Sequence, residues 1–368
     1  MRKIVLMILL ITSTLLTGCW DQRQLVNRTL LNGVSFDLNE EGKIEGAVRA
    51  LYIQNKGAGQ FEVQDELVES VRPTVVGLGL DVDSKISGVI DAGKAHIIII
   101  GEELAKKGIH PFVEFMYRKM DSNLSAKIVI SKGKGKEILS MEKEKSPIAF
   151  VILQLLKGAQ ADTVIPNKTV FRVWNNILDP GKDMILPYLE RVEPNKVEVY
   201  GVALFNGDKY TGTTLNKEKS SILLPLMDQL STTNNMVLML GPSSSRRSIS
   251  FATSDIKRNL EVQVDKNQKI TSKINLKMNI EILSYPQDIK KGLNIKKLNH
   301  ELSKELTKQA KEVTDILLKS NCDALGIGRQ ISSFHPEFWK KINWEDEYKN
   351  VQFEPNVKVN IIKTGNVY

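Results

Sequence analysis

Ile270-Thr271-Ser272-Lys273-Ile274-Asn275-Leu276-Lys277-Met278-Asn279-Ile280-Glu281-Ile282 alternates between polar and apolar side chains from Lys273 onward. Successive side chains of a strand point to opposite faces, so Ile274, Leu276, Met278, Ile280 and Ile282 line a buried face. Lys273, Asn275, Lys277, Asn279 and Glu281 line the other, which faces water, and a sheet with one wet face reads as antiparallel. Downstream the period changes. From Leu298, apolar residues recur at Leu302, Leu306, Val313, Ile316 and Leu317. That spacing predicts a long helix whose single apolar stripe lies on the sheet. Val357, Val359 and Ile361 then alternate with Lys358, Asn360 and Ile362 as a closing strand.

Upstream the pattern is of another kind. Ala95-His96-Ile97-Ile98-Ile99-Ile100 is a continuous apolar run, suited to a strand covered on both faces. Leu30 to Asp37 reads as a strand, Asn39 to Lys43 as a turn, and Ile44 to Ile53 as its partner. Val63 to Ile90 has helix-like spacing interrupted by Pro73. Glu102 to Gly108 is a short helix with acids first, lysines last and glycine at the stop. Lys127 to Ser131 reads as a strand, and Ser146 to Gly158 as a helix with Pro147 in its first turn. Val197 to Phe205 and Asp208 to Thr213 flank Asn206-Gly207, a hairpin signal. Arg191 to Lys196, with Pro194, reads as a boundary, and Gly241-Pro242-Ser243-Ser244-Ser245 as a flexible loop.

At 368 residues the chain exceeds the ~250 that a single core usually reaches. The expected class is therefore α+β and multi-domain, with mixed and antiparallel sheets each flanked by helices. Residues 1–18 form a signal peptide, 19–194 an N-terminal α/β part, and 195–368 a C-terminal α+β part with antiparallel strands and a long helix.

The signal reading rests on Met1-Arg2-Lys3, the apolar stretch Ile4 to Leu16, and Leu16-Thr17-Gly18-Cys19. The apolar stretch is shorter than the ~20 residues a membrane-spanning helix needs, so it reads as a cleaved segment. Small residues at Thr17 and Gly18 admit a peptidase, and the Cys19 thiol can accept a diacylglyceryl group. The tetrad resembles the lipobox of bacterial lipoproteins. Two acyl chains anchor a protein stably where one does not. The expected location is the outer face of a cytoplasmic membrane. Formal charge is +8, and removal of Arg2 and Lys3 leaves +6. Basic residues are interspersed with acids, which gives nucleic-acid binding little support but permits mild attraction to an anionic membrane. With Cys19 lipidated, Cys322 stands alone and no internal disulfide forms.

No constellation points to catalysis, a metal or a cofactor. Gly88-Val89-Ile90-Asp91-Ala92-Gly93-Lys94-Ala95 comes within one residue of a phosphate-binding loop, but Ala95 lacks the hydroxyl that ligands magnesium, and the segment opens a strand where a helix is needed. Gly133-Lys134-Gly135-Lys136-Glu137 lacks the spacing. His96, His110, His300 and His335 supply no spaced zinc set, and His96 reads as a structural residue. Asp81 and Asp83 read as solvated loop acids. Cys322 reads as a packed thiol. In Asp323 to Trp344, rich in glycine and aromatics, the side chains either close a hydrophobic cluster beneath the last helix or form an exposed partner-binding patch.

Cys19-Trp20-Asp21 with Arg23, Ala95 through Ile109, and Asp323-Ala324-Leu325-Gly326-Ile327-Gly328 followed by Pro336 and Trp339 together resemble the Ger(x)C family. These are the lipoprotein C subunits of spore germinant receptors. Arg118-Lys119-Met120-Asp121 departs from that pattern, being less acidic. The resemblance implies α/β domains and a place beside a membrane-embedded A-type subunit and a transporter-like B-type subunit, with no catalytic residue. It carries over Cys19 as the lipidated residue and Asp323, Gly326, Gly328 and Trp339 as motif or partner-contact positions, with a helix stop as the simplest purpose for the first three. The expected function is a non-enzymatic receptor subunit at the inner membrane of the spore. A solute-binding lipoprotein of a transporter is the alternative, and the antiparallel patterns argue against its two-lobed architecture.

Overall fold

Four consecutive isoleucines leave a strand no polar face to offer water, so it must lie mid-sheet with both faces covered. A computed structural model describes residues 28–57, 60–119, 121–142, 146–241, 247–285 and 294–364. The signal segment 1–18, Cys19 and most of the loop around Pro242 lie outside the described residues. The first sheet comprises β1 (Arg28–Leu38), β2 (Ile44–Gly57), β3 (Gln60–Arg72), β4 (Val89–Asp91), β5 (Ile97–Gly101), β6 (Lys127–Ser131), β7 (Ile185–Glu193), β8 (Lys196–Asn206) and β9 (Lys209–Asn216). Its order is β3-β2-β1-β5-β6-β7-β8-β9, with β4 also paired to β1. The β1-β5-β6-β7 centre is parallel and both wings are antiparallel. All four isoleucines of β5 are buried.

Helices α1 (Val75–Lys85), α2 (Glu102–Lys107), α3 (His110–Arg118), α4 (Gly135–Leu139), α5 (Ile148–Ala161) and α6 (Val170–Ile177) cover this sheet. α1, α2, α3 and α6 pack on one face, α4 and α5 on the other. Helix α2 begins with Glu102 and Glu103, and Gly108 at φ 123° ends it.

The second sheet has four strands, β10 (Asn234–Leu240), β11 (Arg247–Val264), β12 (Ile270–Ser284) and β13 (Gln352–Lys363), in that order. Helix α7 (Lys217–Leu226) leads into it. Between β12 and β13 run α8 (Ile295–Lys319), α9 (Ile327–Phe334), α10 (Pro336–Trp339) and α11 (Trp344–Glu347). On β12 the expected faces hold: Ile274, Leu276, Met278, Ile280 and Ile282 are buried and Lys277 is exposed. Helix α8 lays Leu298, Leu302, Leu306, Ala310, Val313 and Leu317 inward. Polar residues on its flank finish the sheet edge. Asn299 Oδ1, Ser303 Oγ and Thr307 Oγ1 accept from the backbone N–H groups of Ile361, Val359 and Val357, each at 2.9 Å. An edge strand is thereby closed against further pairing. One apolar cluster runs from α4 and α5 through α7 into the face of the second sheet under α8.

Three expectations are corrected. Val63 to Arg72 belongs to strand β3, not to a helix, because it pairs along its length with β2 and only Val68 and Ser70 are buried there. Asp81 and Asp83 lie on α1, not in a loop. Asp81 accepts from Ser70 Oγ at 2.5 Å and pairs with Arg72 and Lys85, so it ties α1 to β3. Strand β12 is antiparallel to β11 but parallel to β13, because α8 to α11 carry the chain back before β13 begins. At the expected boundary, Pro194 and Asn195 form the turn between β7 and β8, and the first sheet continues across it to β9.

Candidate functional site

Helix α8 ends at Lys319, and the chain must reverse before α9 starts at Ile327. The first backbone N–H groups of a helix have no partner within it, and an aspartate just upstream is a favoured acceptor. Asp323 takes that role. Its Oδ1 accepts from Gly326 N at 2.9 Å and Ile327 N at 2.8 Å, and its Oδ2 from Gly328 N at 2.7 Å and Trp344 Nε1 at 3.2 Å. The residue starts α9, which corrects the expectation of a helix stop. It is almost fully buried, and burial pushes its carboxyl up to about 8 against the lowering effect of its N–H donors.

The two glycines have separate reasons. Gly326 sits at φ 76°, a left-handed backbone that other residues adopt at a cost. Gly328 is needed for space: a Cβ there would stand 2.5 Å from Trp344 Nε1 and 2.9 Å from Gly181 Cα. Gly181, at φ 77°, is equally crowded by the Gly328 carbonyl carbon at 2.6 Å. The two backbones therefore touch, and Arg329 N donates to Gly181 O at 2.8 Å.

This contact is the centre of a seam between the loop that enters β7 and the turn after α8. Asp183 Oδ2 accepts from Asp323 N at 2.6 Å, and Asp183 Oδ1 from Gly207 N at 2.7 Å. Asp183 N donates back to Asp323 O at 3.0 Å. Asn206 Nδ2 donates to Asn321 O at 2.9 Å, and Arg329 pairs with Asp179 at 3.1 Å. Burial raises Asp183 and lowers Lys182 and Arg258 from their ordinary values. Cys322 is fully buried as expected, its thiol pushed well up, and its carbonyl accepts from Tyr348 OH at 2.8 Å.

The aromatic segment mostly packs. Trp339 and Trp344 lie with centroids 5.7 Å apart against the main cluster, and Tyr348 stacks edgewise on Phe353. Phe334 alone of this group is largely exposed, at 72%. Asp323, Gly326, Gly328 and Trp339 are thus brought into one neighbourhood, with Trp339 reaching it through Trp344. Every donor that half-buried Asp183 and buried Asp323 accept is a backbone N–H or an indole N–H, so both act as structural acceptors. Among the described residues, no group of His, Cys, Asp and Glu could hold a metal ion.

The near-miss phosphate loop is a short strand and a 3-10 turn leading into β5, with Asp91 Oδ1 accepting from Gly93 N at 3.0 Å. At Gly133 to Lys136, Asp37 fills the anion position itself, accepting from Gly135 N at 2.6 Å and Lys136 N at 2.8 Å. Burial raises Asp37 to about 6. Neither Asp37 nor Asp183 is singled out by sequence reasoning. Asp37 announces itself only as a polar residue ending an apolar strand, and Asp183 by nothing local.

Two family models match the chain: the spore germination protein N-terminal domain over residues 21–191, and the spore germination B3/GerAC-like C-terminal domain over 200–365. Spore germination protein GerQC of Bacillus cereus is 24% identical over 361 residues, covering 97% of each chain. Spore germination protein KC of Bacillus subtilis is 22% identical, covering 94% of this chain and 92% of its own. The crystal structure of the GerBC protein shares the fold with a TM-score of 0.59 at 16% identity, over 90% of this chain and 97% of that one. The seam at Asp183 and Asp323 joins residues from both matched regions, and the chain belongs to the Ger(x)C, or GerAC-like, family of spore germination proteins.

Proposed function

We propose that this protein is a non-enzymatic, lipid-anchored subunit of a membrane-bound nutrient germinant receptor. The observation that carries the reading is the family match across both halves of the chain. The seam is consistent with it, because Asp183 and Asp323 serve to join two parts of the fold through backbone and indole N–H donors. Among the described residues no helix is long and apolar enough to cross a membrane. We assign attachment to a diacylglyceryl group on Cys19, on the lipobox-like Leu16-Thr17-Gly18-Cys19, with residues 1–18 removed as a signal peptide. The body sits on the outer face of the spore's inner membrane, beside a membrane-embedded A-type subunit and a transporter-like B-type subunit.

Two measurements test this. Spores lacking the protein should respond poorly to at least one nutrient germinant while growth and sporulation stay normal. Metabolic labelling with a fatty acid should mark the wild-type chain and leave Cys19→Ala unlabelled. Label retained in that variant would remove Cys19 as the anchor.

A further inference from the structure

A polar cavity of about 620 Å³ lies between the loop joining α5 to α6 and the loop joining α7 to β10. Lys168 lines it and is only 8% exposed. An ammonium carries three donors, and its charge is costly to bury unless paired. Lys168 Nζ has one side-chain partner, the neutral Asn176 Oδ1. The full charges acting on it are the wrong sign, those of Lys182 and Arg172. Cys322 is the sole group of opposite tendency, and burial keeps its thiol protonated. Burial and the two cations bring Lys168 down to about 8. Asp228 also lines the cavity, and its charge acts on Arg258.

Each wall turns at a helix end, after α5 on one side and after α7 on the other. Thr163 has φ 55° and Asp228 φ 61°, and both residues line the cavity. Left-handed residues are common where a helix stops, and of these two only the β-branched Thr163 is an unusual occupant, held there by the loop opposite. Here the two loops are bolted together. Thr163 Oγ1 accepts from Ser231 N at 3.0 Å, and Thr233 N donates to Ala161 O at 3.0 Å. Arg172 lines the cavity from an exposed position, its Nη1 donating to Asn167 O at 3.3 Å.

We propose that this cavity binds a small polar molecule through a carboxylate or phosphate group, with Lys168 as its buried counter-charge and Arg172 closing from the mouth. A planar guanidinium and a point-charge ammonium are the usual pair for an oxyanion. The side-chain amides of Asn167, Asn176 and Gln229, which line the same space, take the remaining polar groups.

Calorimetric titration of the full-length chain in detergent with inorganic phosphate, and separately with acetate, tests the proposal against choline chloride at matched ionic strength. At least one oxyanion should bind and raise the melting temperature, and the tighter of the two identifies the group. Lys168→Met should weaken that binding by about tenfold or more, which is 1.4 kcal/mol or more. Arg172→Gln, at an exposed position, should weaken it several-fold with its melting temperature unchanged in the absence of anion, and it decides the matter should Lys168→Met fail to fold. Failure of both anions to bind, or binding unchanged in Arg172→Gln and in a folded Lys168→Met, would overturn the proposal.

Discussion

Asp183 and Asp323 stand 140 positions apart in sequence and hold one another directly. Asp323 N donates to the Asp183 carboxylate at 2.6 Å, and Asp183 N donates to the Asp323 carbonyl at 3.0 Å. The pair fixes the start of β7, in the first sheet, against the start of α9, which leads back to the second. The acceptor set around buried Asp323 is costly to break, since each N–H left without a partner loses about 1–3 kcal/mol.

Asp323→Asn places an amide NH₂ against two of the four donors and should destabilise the fold by about 2–4 kcal/mol. The loss should depend on pH. Burial holds the Asp323 carboxyl at about 8, above its ordinary 3.8. The folded chain therefore keeps a proton that the unfolded chain releases, and this group's contribution to stability falls as pH rises between those values. Denaturant melts at about pH 5 and about pH 8 should show the gap between wild type and variant narrowing at the higher pH. A gap that widens would mean the N–H donors outweigh burial.

Gly328→Ala drives a methyl group into Trp344 Nε1 and Gly181, and overpacking of this kind should cost about 1–3 kcal/mol. Gly158 offers the matched contrast. It is exposed within α5 with nothing within 4 Å of a Cβ, so Gly158→Ala should stabilise by about 0.5–1 kcal/mol. Thermal melts compare the two, and equal signs would contradict the packing described.

Leu276 is 2% exposed on β12, and its neighbour Lys277 points to solvent. Leu276→Asp should lose about 3–5 kcal/mol by burying a charge in the core, whereas Lys277→Asp should stay within about 0.5 kcal/mol. Similar losses in both would place the strand in the wrong register.

Ser303→Ala should cost about 1–3 kcal/mol, because it strands the Val359 N–H at a closed sheet edge. Amide exchange reads this directly. Val359 should exchange faster in the variant while Leu276, inside the sheet, keeps its protection.

Strong periodicity made much of the fold legible. Ile270 to Ile282 and Leu298 to Leu317 each bury one side against a large core, so the period survives in the sequence. Strand β3 shows the opposite case: Val63, Leu67, Val68 and Val71 fall at helical spacing because an edge strand with little burial imposes no alternation. The glycines and aspartate near α9 were visible as a motif, and an aspartate three residues before a glycine at a helix start is a signal of N-terminal capping. Its partners were not visible. Asp183, Gly181 and Lys168 acquire their roles from residues distant in sequence or from burial, and a lone Asp, Gly or Lys in a loop carries no mark of either.

Affinity purification of the tagged protein from spore membranes tests the receptor assignment most directly. A membrane-embedded A-type subunit and a transporter-like B-type subunit should be recovered, with the yield of both lost in Cys19→Ala. Recovery of a transporter's ATPase and permease in their place, from spores that germinate normally without this protein, would contradict it.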